Sequence, residues 1–135
     1  MRLFRRKKRS NASVPTIPTN YPYGLCVKTE SGHFLMREKI RLRVPTIRVL
    51  DSWHFNVVNS SDSAIKHIPL AGKVGFRDGT LIKNIADSRI YLVTQSKRRH
   101  VTSPDVFDKY GLRWDDVVTV SEDEANLHIE GEVLN

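Results

Sequence analysis

"YLVTQSKRRHVTSPDVFDKYG" (residues 91–111) and, 57 positions earlier, "FLMREKIRLRVPTIRVLDSWH" (residues 34–54) decide how this chain is read. Aligned without a gap, Leu35 falls on Leu92, Arg41 on Arg98, Val44 on Val101, Val49 on Val106 and Asp51 on Asp108. Average residue usage gives roughly one identity in a block of this size, against the five found in 21 columns here. Most mismatches keep the residue's kind: Phe34 with Tyr91, Met36 with Val93, Thr46 with Ser103, Leu50 with Phe107, Trp53 with Tyr110. Beyond the block, Val57-Val58 meets Val117-Val118 if the second copy gains three residues, and Ser61-Asp62 then falls near Ser121-Glu122. Upstream, Leu25-Cys26 aligns with Leu81-Ile82 after a one-residue shift. The pattern reads as one module written twice, over 23–78 and 79–135, behind a basic arm at 1–22.

Each copy opens with a short apolar run, "GLCVKT" or "TLIKNI", followed by a turn signal, "ESG" or "ADS", and a second run, "HFLMR" or "RIYLV". "EKIRLRV" then alternates: Ile40, Leu42 and Val44 point one way, Lys39, Arg41 and Arg43 the other. Period-two alternation marks a strand with one face on a core and one in water. "SKRRHV" fills the same place in the second copy. A helix follows there: Ser103 is a good N-cap, Pro104 suits the first helical position, Asp105 favours the positive end of the dipole, and Gly111 fits the left-handed terminator. The first copy has Thr46 as cap and His54 in place of the glycine. After the helix "DDVVTV" is strand-like, and Ser121 with Glu124 has capping-box spacing for a last short helix. The expected class is α+β: two tandem modules, each a short antiparallel sheet with one or two short helices.

A copy of about 57 residues is near the size at which burial barely offsets chain entropy, so the copies are expected to pack on each other or on a partner. Cys26 is the only cysteine, which excludes an internal disulfide and a cysteine-based zinc site. No apolar run approaches a membrane span. The start "MRLFRRKKRS" is followed by "NASVPTIPTNYPYG" and not by an apolar stretch, so no secretory signal is expected.

Net charge is +7, unevenly placed: +6 over residues 1–9, +8 over 10–104 and −7 over 105–135. A basic body with an acidic end suits head-to-tail association or the bridging of partners of opposite sign. The arm cations Arg2, Arg5, Arg6, Lys7, Lys8 and Arg9 are the candidate clamp on an anionic partner, either an acidic protein surface or nucleic acid. Lys39, Arg41, Arg43 and Arg98 form a candidate basic strand face, with "KRRH" at 97–100 reading as a solvated face. No zinc-finger spacing, ribonucleoprotein motif or helix-turn-helix accompanies these charges.

The signals of chemistry are sparse. His33, His54, His67, His100 and His128 stand at no metal-site spacing, and no metal or cofactor is assigned. Asp115 and Asp116 are adjacent, so on a strand they would diverge, which is poor geometry for a carboxylate pair. There is no glycine-rich phosphate loop and no GxSxG elbow. No catalytic residue is assigned, and a non-enzymatic role is expected. Trp53 and Trp114 suit either core packing or stacking on sugars.

The stretch "RIYLVTQSKRRHVTSPDVFDKYGLRWDDVVTVSEDEAN" resembles a repeat of bacterial cell-surface proteins and of virion proteins of tailed bacteriophages. In that family a "VYLVENGKKR" hairpin leads into "I-x-S-x-x-VF" and then "W-x-D-V-V-x-V-S-x-x-E-L". The resemblance rests on the order Tyr91, Arg98, Ser103, Phe107, Gly111, Trp114, Val117, Ser121 and Glu124, spans about residues 79–131, and is fainter over 24–72. The first copy lacks the glycine at 54 and the W-x-D segment. The resemblance implies a non-enzymatic structural or adhesion module. With the arm, it implies a virion component, a minor tail or head–tail junction protein, assembled in host cytoplasm and binding other virion proteins. A capsid decoration protein, an envelope glycan-binding module and a nucleic-acid-binding protein remain alternatives.

Overall fold

The computed structural model describes residues 14–135, so the arm cations Arg2, Arg5, Arg6, Lys7, Lys8 and Arg9 lie outside the described residues. The first copy runs β1 (Cys26–Thr29), β2 (Gly32–Met36), β3 (Arg41–Val44), α1 (Ile47–Ser52), β4 (Val57–Asn59), α2 (Asp62–Ile65) and β5 (Leu70–Lys73). The second runs β6 (Leu81–Asn84), β7 (Ile90–Thr94), β8 (Lys97–His100), α3 (Pro104–Tyr110), a 3-10 turn at Trp114–Asp116, β9 (Val117–Val120), α4 (Glu122–Ala125) and β10 (Ile129–Glu130). The sheets have one topology, β4-β1-β2-β3-β5 and β9-β6-β7-β8-β10. The fold is α+β with two five-stranded sheets, and each copy repeats the strands and helices of the other in order, the 3-10 turn being an addition in the second.

Both sheets are mixed, where sequence alone led us to expect antiparallel ones. The three inner strands pair antiparallel through tight turns. The outer strands β4, β5, β9 and β10 pair parallel to their neighbours. Each returns after an intervening helix, and a helical crossover brings a strand back in its original direction. Register corrects the upstream alignment as well. Cys26 faces Leu35 and Leu81 faces Leu92, while Val57 and Val117 lie beside Cys26 and Leu81. Cys26-Val27, rather than Leu25-Cys26, therefore matches Leu81-Ile82. The cause is a second hairpin loop longer by two residues than the first.

By its contacts the chain divides into two units. One holds the described residues up to Pro45 with Phe55–Val74; the other holds Thr46–His54 with Gly75–Asn135. The division differs from 23–78 and 79–135 in giving α1 and residues 75–78 to the second unit. In the first unit Val27, Phe34 and Met36 share a sheet face and pack with Ile65 of α2, Tyr21, Val58 and Ile68. Tyr21 belongs to the stretch read as arm. Thr19 N–H donates to the Ala64 carbonyl at 2.8 Å and the Ser61 hydroxyl to the Pro15 carbonyl at 2.5 Å. Residues 15–21 thus lie against α2, where short backbone bonds take the place of regular structure. In the second unit α3 lays Val106 and Phe107 on Leu81, Val101 and Leu134. The opposite face carries Ile82, Tyr91 and Val93, all at most 1 % exposed.

The caps follow sequence except at α3, where Ser103 holds the N-cap position without a side-chain capping bond. Thr46, Ser61 and Ser121 each accept from the backbone N–H three residues on, and Ser121 with Glu124 closes a capping box. Gly111 ends α3 at φ +68°, the left-handed position that glycine adopts without strain.

Candidate functional site

The two strand arginines that repeat do the same thing. Phe34 sits directly across from Arg43, and the guanidinium groups of Arg41 and Arg43 lie 4.6 and 4.8 Å from its ring centre. In the second unit Arg98 lies 4.8 Å from the Tyr91 ring, with His100 beside that ring at 5.7 Å. Arg98 also donates to Asn126 Oδ1 at 3.1 Å and pairs with Glu130 at 3.6 Å. These arginines are half-buried lids over a central aromatic ring, stabilised by cation–π attraction. They do not form the solvated face their alternation implied. The reason is that each guanidinium lies over a ring that is itself buried, Phe34 and Tyr91 both being 1 % exposed. Lys39 stands apart, exposed in the turn before β3.

Buried polar groups hold the second unit together. Glu124, 3 % exposed, accepts from the Thr46 hydroxyl at 2.7 Å, Arg48 Nη1 at 3.0 Å and the Ser121 N–H at 2.9 Å. Burial alone raises its pKa, but these bonds more than offset that and hold the carboxyl below its ordinary value. His128, also 3 % exposed, accepts the Phe76 N–H on Nε2 at 2.9 Å. Its Nδ1–H donates to the Ser96 carbonyl at 2.7 Å, which fixes the tautomer. In the first unit, burial pushes the Cys26 thiol up to about 11, so it stays protonated at neutral pH. Among the described residues no group of three His, Cys, Asp or Glu side chains is arranged to hold a metal ion, and no helix is long and apolar enough to cross a membrane.

The two tryptophans part ways. Trp53 Nε1–H donates to the Gly75 carbonyl at 2.9 Å, and the ring is half-buried. Trp114 opens the 3-10 turn after α3 and is 55 % exposed. Its indole lies parallel to the Phe107 ring, 3.8 Å between centres and 1° between planes. Phe107 itself is 2 % exposed and seated in the core. One indole face is thereby fixed and the other left to solvent. A shallow groove of about 230 Å³ runs beside it, lined by Ser88, Arg89, His100, Thr102, Ser103 and Pro104 among others. Asp115 and Asp116 sit in the same turn, and Asp115 pairs with Arg113 at 3.7 Å.

This groove is a candidate site because it borders an exposed tryptophan held on one face by the core. Sequence pointed to Trp114 but not to its rim, because Ser88 and Arg89 come from the β6–β7 loop, 25 or more positions upstream. No family model, curated protein or solved structure matches the chain.

Proposed function

We propose that this protein is a non-enzymatic structural component of a tailed-bacteriophage virion, at the tail or the head–tail junction. It binds neighbouring subunits through its basic arm and its module surfaces. The observation that carries this reading is what the duplication keeps. Between the copies it keeps the sheet order, the arginine over a central aromatic ring, and the hydroxyl residues at helix starts. All of these are features of folding. In the core the copies exchange one apolar residue for another, Phe34 for Tyr91 and Met36 for Val93, so what is kept is the scaffold, as in modules that serve as structural units.

Two further features support assembly. Short edge strands expose large apolar side chains: Val57 on β4, Leu70 on β5 and Ile129 on β10, at 45, 47 and 70 %. Edge strands with apolar side chains are docking surfaces unless they are blocked. Charge is also segregated along the chain, cationic up to residue 104 and anionic beyond it, which favours contacts between oppositely charged stretches of adjacent molecules.

The test is particle assembly with a chain lacking residues 1–13. Incorporation per particle, read by quantitative mass spectrometry, is expected to fall at least about tenfold, the loss of 1.4 kcal/mol of binding. Normal incorporation of the truncated chain, or absence of the full chain from purified particles, overturns the reading.

A further inference from the structure

We propose that the outer face of Trp114, with the groove beside it, is a saccharide-binding site for neutral pyranose rings. The inference does not depend on where in a particle the protein sits.

The geometry comes first. A sugar ring presents a flat C–H face and a rim of hydroxyls, so it needs an aromatic plane flanked by hydrogen-bonding groups. Trp114 supplies the plane. Its inner face is held against a core phenylalanine at 3.8 Å, so little ring freedom is lost on binding. At 55 % exposure its outer face is open. An isolated surface tryptophan has no such backing and packs on whatever is near.

The rim supplies the polar groups. Ser103 occupies the N-cap of α3, yet its hydroxyl makes no capping bond, unlike those of Thr46, Ser61 and Ser121. That hydroxyl borders the groove and is available to a ligand. Ser88 and Arg89 add a hydroxyl and a guanidinium from the facing loop. The groove's volume of about 230 Å³ is below the roughly 300–1,000 Å³ of enclosed small-molecule pockets. It is an open trough, suited to one or two rings of a longer chain.

Charge decides against the other ligand that stacks on aromatic rings. Single-stranded nucleic acid needs a positive track for its phosphates beside the stacking plane. The groove beside Trp114 offers one full charge in its lining, the guanidinium of Arg89. A single guanidinium is no track for a run of phosphates, but it can hydrogen-bond the hydroxyls of an uncharged sugar.

The test uses the full chain with cellotetraose, maltotetraose and chitotetraose as neutral probes and an eight-residue oligothymidylate as the charged one. The readout is the indole N–H resonances of the two tryptophans. At least one neutral tetraose is expected to shift the Trp114 resonance at millimolar concentration and leave that of Trp53 in place. Trp114→Ala is expected to weaken that binding roughly ten- to a hundredfold, the range for loss of one stacked ring. Because Trp114 covers Phe107, Ser103→Ala serves as the second variant. It removes no capping bond, so it is expected to keep the wild-type melting temperature and weaken the tetraose severalfold. No shift from any neutral probe at 20 mM, binding unchanged in both variants, or oligothymidylate bound at Trp114 in preference to the sugars overturns the proposal.

Discussion

Replacing Gly75 by alanine puts a methyl group where a buried histidine ring already stands. A Cβ there would lie 2.5 Å from His128 Cε1 and 2.7 Å from Nε2, closer than side chains approach. The ring cannot step aside cheaply, because it is 3 % exposed and bonded at both nitrogens, to the Phe76 N–H and the Ser96 carbonyl. Overpacking costs about 1–3 kcal/mol, and a buried N–H stripped of its acceptor about 1–3 kcal/mol more. Gly75→Ala should therefore lower stability by about 2–6 kcal/mol. His128→Ala leaves the same two backbone groups without partners and should cost about 2–4 kcal/mol. In the double variant the clash is gone, so its stability should match that of His128→Ala alone. Urea unfolding of the four proteins gives the coupling, with Trp53 fluorescence as reporter because its indole bonds the Gly75 carbonyl. The coupling is then expected to equal the Gly75→Ala loss, about 2–6 kcal/mol, well above the ~0.5 kcal/mol scatter of independent sites. Additive losses would show that the glycine is needed for some other reason.

Gly111→Ala makes the contrast, since nothing lies within 4 Å of its Cβ position and only φ +68° resists; a loss of about 1–2 kcal/mol is expected by the same assay. Glu124→Gln removes a buried carboxylate from three donors and should cost about 1.5–3 kcal/mol. The pH dependence follows from sign: Glu124 and Asp62 are both held below their ordinary values of 4.5 and 3.8, Asp62 chiefly by the Thr29 and Ser31 hydroxyls. Their stabilisation is therefore present above those values and lost as pH falls through the lower folded ones. The urea midpoint should hold steady down to about pH 4.5 and drop below it, with a shallower drop in Glu124→Gln. Arg98→Ala uncovers the Tyr91 ring and should cost about 1–2 kcal/mol, read as a lower melting temperature; an unchanged one would mean the stack is incidental.

Much of the fold was legible because it is written locally and written twice. Spacing between the copies identified the matching strands, and Pro104, Gly111, Ser121 and Glu124 marked helix ends through rules that act within a turn. β5 and β10 were not legible. "LAGK" is exposed throughout and "IE" is two residues long, so neither carries alternation, and their pairing is fixed by a distant strand. The packing of residues 15–21 was hidden for the same reason: its bonds run to Ser61 and Ala64, more than 40 positions away. Alternation in "RLRV" separated the faces of β3 correctly, but it cannot tell an arginine in water from one laid over a ring. Of the candidate site, Trp114 could be named, whereas its backing by Phe107 and its rim from the β6–β7 loop are tertiary facts.

Lysine cross-linking of intact, purified particles tests most directly whether this protein is gripped by other molecules. Cross-links from Lys7 and Lys8 of the arm to a second virion protein, lost when the particles are dissociated, are the expected result. Links confined to the chain itself in intact particles would contradict it.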